Sequence, residues 1–196
     1  MLTVFLLSSG GIIGIVIAVV ILLLVIWLIS ARNKLVVLRN KVRNAWSQID
    51  VQLKRRFDLI PNLVETVKGY AAHEKEIFDQ FGRARNMYAQ AAQTGDVAGL
   101  AEANNQIERA LGRLLMVQEA YPELKANVNF QSLMNQLNET ENKISFSRTF
   151  YNDIVLNYNN QIEIFPTNIV ASLFNFKPAQ FFEIQEVERE NVKVKF

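Results

Sequence analysis

Few side chains in this chain are able to do chemistry, and their spacing decides which reactions are open. One histidine, His73, and no cysteine occur in 196 residues, so thiol nucleophiles, disulfides, zinc ribbons and iron–sulfur ligation are excluded. A two-metal carboxylate centre in a helical bundle needs Glu-x-x-His pairs on two helices with further inward glutamates. His73 has no Glu three residues before it. A serine triad would have to recruit the same histidine without a G-x-S-x-G elbow, and no glycine-rich loop precedes a Lys-Ser/Thr pair to cradle phosphate. We expect no catalytic residue, no metal-ligand set and no cofactor, with His73 on the polar face of a helix.

The polar residues that stand out flank Pro61: Arg55, Arg56, Asp58, Asn62 and Glu65, with Glu139, Glu141 and Asn142 far downstream. In an antiparallel bundle the two groups would face each other as a partly buried ion-pair network that sets helix register. The alternatives are a subunit contact or an isolated Mg²⁺ or Ca²⁺ on the carboxylates.

Helices must position these residues. From Gly10 to Ile29 every residue is apolar or glycine and no ionisable side chain precedes Arg32, enough to cross about 30 Å of hydrocarbon. The run lacks the basic leader and small-residue cleavage site of a signal peptide, so a retained anchor is expected over residues 1–31. Trp27 falls where an indole sits at headgroups. Gly10 and Gly14 form a GxxxG pair, a weak helix-association motif.

After the anchor, Leu35, Leu38, Val42, Ala45, Ile49 and Leu53 recur at steps of three and four, an amphipathic seam continuous with the span. Pro61 predicts a kink or restart with Asp58 as cap. A second seam, Leu63, Val67, Tyr70, Glu74, Ile77, Phe81, Ala84, Tyr88 and Ala91, reads as one helix of about 45 Å. Gln93-Thr94-Gly95-Asp96 supplies a C-cap glycine and an N-cap aspartate for a tight turn. A third seam, Val97 to Gln118, runs to Tyr121-Pro122, and a fourth helix starts near Asn129 and ends before Pro166. The fold class is therefore all-α: one N-terminal transmembrane helix, then an elongated antiparallel bundle of about four long helices spanning 32–165. The seam residues Glu74, Asn104, Gln118, Thr140 and Ser147 fix register or mark a wet edge. Residues 166–196 form an aromatic tail containing Phe165's neighbours Phe174, Phe176, Phe181, Phe182 and Phe196. So apolar a tail should pack on its own bundle, a neighbouring subunit or the membrane surface. Glu183, Glu186, Glu188 and Glu190 argue against anionic lipid beyond Phe182.

The formal net charge is +2, yet five basic residues from Arg32 to Arg43 stand with no acidic one. Just past an apolar span, such a cluster fits anionic headgroups at about 1 kcal/mol per basic side chain, and no nucleic-acid partner is expected. The positive-inside tendency puts the N-terminus outside and the bundle in the cytoplasm.

The set Asn44-Ala45-Trp46-Ser47-Gln48-Ile49-Asp50, Asp58-Leu59-Ile60-Pro61-Asn62-Leu63-Val64, Tyr70, Thr140-Glu141-Asn142-Lys143-Ile144, Tyr151-Asn152, Tyr158-Asn159, Phe165-Pro166-Thr167-Asn168-Ile169 and Phe174-Asn175-Phe176-Lys177-Pro178 resembles the LemA family over nearly the whole chain. The resemblance implies a bacterial inner-membrane protein with a short external N-terminus and a cytoplasmic helical domain. It carries over no catalytic residue or cofactor. Members are often encoded near membrane metalloproteases, an association rather than a mechanism. Two classes of function follow: a non-enzymatic, homo-oligomeric scaffold for membrane or envelope proteins, or an adaptor or sensor in which the Pro61 region moves and a membrane-protein partner acts.

Overall fold

The computed structural model describes residues 9–183. Glu186, Glu188, Glu190 and Phe196, which entered the reading of the tail, lie outside the described residues. Helices are α1 (Ser9–Lys68), α2 (Lys75–Thr94), α3 (Val97–Val117), α4 (Pro122–Ala126), α5 (Val128–Glu163) and α6 (Thr167–Leu173), with a 3₁₀ turn at Gln118–Ala120. Four of these are long, and no strand occurs among the described residues. The class is all-α, with a helical bundle and one long apolar N-terminal helix.

The chain divides into two compact units. The first holds the N-terminal part of α1 to Arg43 together with residues 156–179. Here α1 is apolar on every side and uncovered through Ile26, and Ala31 is its first buried residue among those described. A helix hydrophobic all round belongs in lipid rather than water. Past Ala31 it becomes one-sided: Leu35, Leu38 and Val42 are buried, as are Tyr158, Ile162, Val170 and Ala171 of the same unit. The change from all-round to one-sided apolarity falls where Arg32 and Lys34 begin the basic stretch.

The second unit holds residues 44–155 and the chain from Gln180. Its core collects Phe57, Ile60, Leu63, Phe81, Ile107, Leu114, Phe130 and Leu137, side chains of α1, α2, α3 and α5, all but Phe57 and Ile60 from the predicted seams. The turn between α2 and α3 follows the sequence reading. Gly95 adopts φ 67°, and its N–H closes on the Ala91 carbonyl; only glycine takes that left-handed conformation without a Cβ penalty. The Asp96 carboxylate then accepts the Ala98 N–H at 3.1 Å and caps α3.

Three boundaries differ from expectation. Helix α1 passes through Pro61 and ends at Lys68, so of the two alternatives at Pro61, a kink or a restart, the restart does not occur. Proline removes one N–H, but Phe57, Ile60 and Leu63 on either side are all buried, and this packing holds the helix across the missing bond. The break falls instead inside the supposed second helix, at Gly69–Glu74, where the Tyr70 and Ala71 N–H groups both close on the Val67 carbonyl. The cap of α5 is Asn127, not Asn129: the Asn127 carboxamide oxygen accepts the Phe130 N–H at 2.9 Å.

Candidate functional site

The most buried polar chemistry lies in the second unit around Arg56. A three-four seam would place a leucine-sized residue here, and Arg56 follows Leu53 at the i+3 position of that seam, so its side chain turns inward and is only 2% exposed. Three helices supply its partners. From α3, the Asn104 carboxamide oxygen accepts from Arg56 Nη1 at 2.5 Å, and Glu108 Oε1 stands 3.7 Å from the same nitrogen. From α5, Glu141 forms a close ion pair with it. Asn104 Nδ2 donates to Glu108 Oε1 at 2.9 Å, closing a ring between α1 and α3 to which Glu141 ties α5 through Arg56.

Burial lowers the pKa of Arg56, opposed by attraction to Glu141 and Glu108. It also raises that of the Glu108 carboxyl, helped by the neighbouring Glu141 carboxylate and opposed by Arg56. Two carboxylates thus share one guanidinium. The arrangement fixes the angular register of three helices, because each partner is reached from one helix face only. Arg56 itself is enclosed, while Glu108 and Glu141 keep about a third of their side chains exposed.

The sequence-derived polar set is only partly assembled here. Arg56 and Glu141 meet as expected. Arg55, Asp58 and Asn62 are exposed, and Glu65 pairs with Lys68 at 3.1 Å on the surface. Glu139 pairs with Lys143 at 2.6 Å, a contact that holds its carboxyl below the ordinary value. His73 is exposed. Glu108 was missed. Its signal was its place four residues after Asn104, a polar residue inside an apolar seam, since helical neighbours at that spacing touch. Among the described residues no three His, Asp or Glu side chains come together as a ligand set.

A second feature of this unit is an open groove of about 610 Å³. Ser47, Val51 and Gln52 of α1 and Asn142, Lys143 and Phe146 of α5 line it. Its apolar walls are bare: Phe146 is 76% exposed and Val51 61%.

The repeated Tyr-Asn pairs on α5 have one structural task, in each unit separately. In the second unit Tyr151 Oη donates to the Gln180 carbonyl at 2.8 Å. Asn152 takes the Phe182 N–H at 2.9 Å and donates to its carbonyl at 3.2 Å. In the first, Tyr158 Oη donates to the Lys177 carbonyl at 2.9 Å, and Asn159 makes the same double contact with Ala179 at 2.9 and 3.0 Å. Each asparagine imitates a neighbouring β-strand, satisfying a tail residue's N–H and C=O together. Phe182 is fully buried, its ring 5.9 Å from that of Trp46. Of the three surfaces open to the tail, Phe182 thus takes its own bundle.

Together, an N-terminal helix uncovered over a membrane-spanning length and a bundle keyed by one buried arginine define the class: a membrane-anchored helical protein. Residues 45–196 match the model of the LemA family, and the chain belongs to that family. It is 28% identical to the magnetosome protein MamQ 2 of Paramagnetospirillum magneticum, over 80% of this chain and 66% of that protein. It is 27% identical to protein LemA of Metamycoplasma hominis, over 84% of this chain and 74% of that one. The chain thus spans just under two thirds of the MamQ sequence it resembles.

Proposed function

We propose that this protein is a non-enzymatic scaffold of the bacterial cytoplasmic membrane that self-assembles and organises other membrane or envelope proteins. Helix α1 anchors it with the N-terminus outside. The five basic residues from Arg32 to Arg43 keep the bundle on the cytoplasmic side and meet anionic headgroups there.

The observation that carries the reading is the bare apolar groove beside Phe146 and Val51. Water is a poor occupant for such a surface. A second copy of this chain is the occupant we assign, because every copy is held in the same bilayer, which raises its effective concentration at the neighbour's groove. Copies oriented alike by their anchors close most simply into a ring about the membrane normal. The Arg56 network supports the reading in another way, since it ties three helices in one register and so gives the bundle a rigid surface.

Phe146→Glu tests this. In full-length protein in mild detergent, the charge should lower the assembly mass measured by mass photometry while helicity by circular dichroism stays unchanged. Unaltered mass would remove the groove from the assembly.

A further inference from the structure

Helix α6 and the corner leading into it expose apolar surface in a way that a water-facing segment of a soluble domain does not. Val170 and Ala171 are buried, whereas Ile169 and Leu173, four residues apart on one face, are 57% and 66% exposed. Immediately before them Ile164 is 52% and Phe165 75% exposed. No ionisable residue occurs from Ile164 to Phe176. The polar residues of α6, Thr167, Asn168 and Ser172, are all uncharged, and beside them the helix keeps one apolar face packed and another open.

Its place along α1 says what covers that face. The Arg32 guanidinium lies 5.2 Å from the centre of the Phe174 ring, and that of Arg39 5.1 Å from the Phe176 ring. Arg32 is the first ionisable residue after an apolar run that ends at Ile29, about 4.5 Å farther along the helix axis. Phe174, the residue directly after α6, is therefore held at the level where α1 leaves hydrocarbon. Exposed Lys34 and Lys177 of the same unit are placed to meet anionic headgroups, with Glu163 as the acidic residue preceding the corner.

We infer that the α5–α6 corner is a second membrane contact, with Ile164, Phe165, Ile169 and Leu173 set into the headgroup–acyl boundary of the leaflet from which α1 emerges. The inference rests on α1 being the membrane anchor. Its ligand is a lipid surface, bound by shallow burial of apolar side chains with basic residues at the rim. The corner and the anchor together make a two-point attachment, which fixes the rotation of α1 about its own axis and hence the direction in which this unit faces.

The absence of cysteine makes site-directed spin labelling direct. Single cysteines replace Ile169, Leu173, Leu22 in the apolar run and Gln90 on α2, each in the full chain in nanodiscs containing anionic lipid. Collision rates with oxygen, which partitions into lipid, and with a water-soluble nickel chelate are then compared. The expected result is an oxygen-to-nickel ratio at positions 169 and 173 several-fold above that at position 90 and approaching that at position 22. A ratio at both positions equal to that at 90, with position 22 high, overturns the inference and leaves the anchor standing. A low ratio at position 22 removes the anchor itself. Exclusion of both reagents from 169 and 173, with spin–spin broadening that vanishes on dilution with unlabelled chain, overturns the inference in favour of coverage by a second copy. Positions 169 and 173 are independent exposed sites, so a failure of one variant to fold leaves the other as the test.

Discussion

Arg56→Ala removes the cation that α1, α3 and α5 share. It leaves the fully buried Asn104 oxygen without its donor and two adjacent carboxylates without a counter-charge. Breaking a buried pair from one side costs about 3–5 kcal/mol. Here Glu108 and Glu141 are 34% and 32% exposed and regain part of their hydration, so the lower end applies. About 3 kcal/mol corresponds to a fall in Tm of roughly 6–12 °C for a chain of this size. The assay is thermal unfolding of full-length protein followed by circular dichroism, beside Arg56→Lys, which restores a charge but not the planar fork and should recover only part of the loss. The pH dependence is a further check. Arg56 opposes the rise in the Glu108 pKa, so its removal raises that pKa further. A carboxyl whose folded pKa lies above its unfolded value favours folding below the unfolded value and loses that contribution as pH rises through the folded one. The gap between wild type and Arg56→Ala should therefore narrow on acidification. An unchanged Tm at neutral pH would refute the buried network.

The same linkage predicts that Glu108→Gln, which keeps the acceptor for Asn104 and removes one of two like charges, leaves stability at neutral pH unchanged or raised; its stability should also vary less with pH from the ordinary carboxylate value upward, as read from Tm over a pH series. Asn152→Ala should cost about 1–3 kcal/mol by leaving the Phe182 N–H and C=O without partners and should speed chymotryptic cleavage after Phe182, whereas equal cleavage rates would mean that the clamp does not hold the tail. A reporter fused after Phe196 should be active only as a cytosolic type; activity of a periplasmic reporter would reverse the topology.

Much of the fold was legible because apolar period and capping chemistry act locally. The seam from Leu35 to Leu53 and the Gly95-Asp96 turn needed only near neighbours in sequence. Pro61 misled for a reason equally physical: its cost to a helix is fixed, but the gain from burying Phe57, Ile60 and Leu63 together depends on helices that are distant in sequence. The break at Gly69–Glu74 did carry a marker, Gly69 just after Lys68, but the three-four pattern running on through Tyr70 to Ile77 masked it. At the site, Arg56 and Glu141 stood out as charges near a proline and on a facing helix. Glu108 did not, because a glutamate on a helix is ordinary until the buried Asn104 one turn away is known to point at an arginine. The Tyr-Asn pairs showed their spacing in the sequence but not their task, which requires the extended tail beside them.

Self-assembly in the membrane is the central claim, and the mass of the intact protein tests it most directly. Full-length chains of 22.4 kDa, measured by mass photometry in several mild detergents and in nanodiscs large enough to admit many copies, should give one dominant species at a fixed multiple of the protomer mass, unchanged on dilution within the membrane mimetic. A single protomer in every one of these environments would contradict the account.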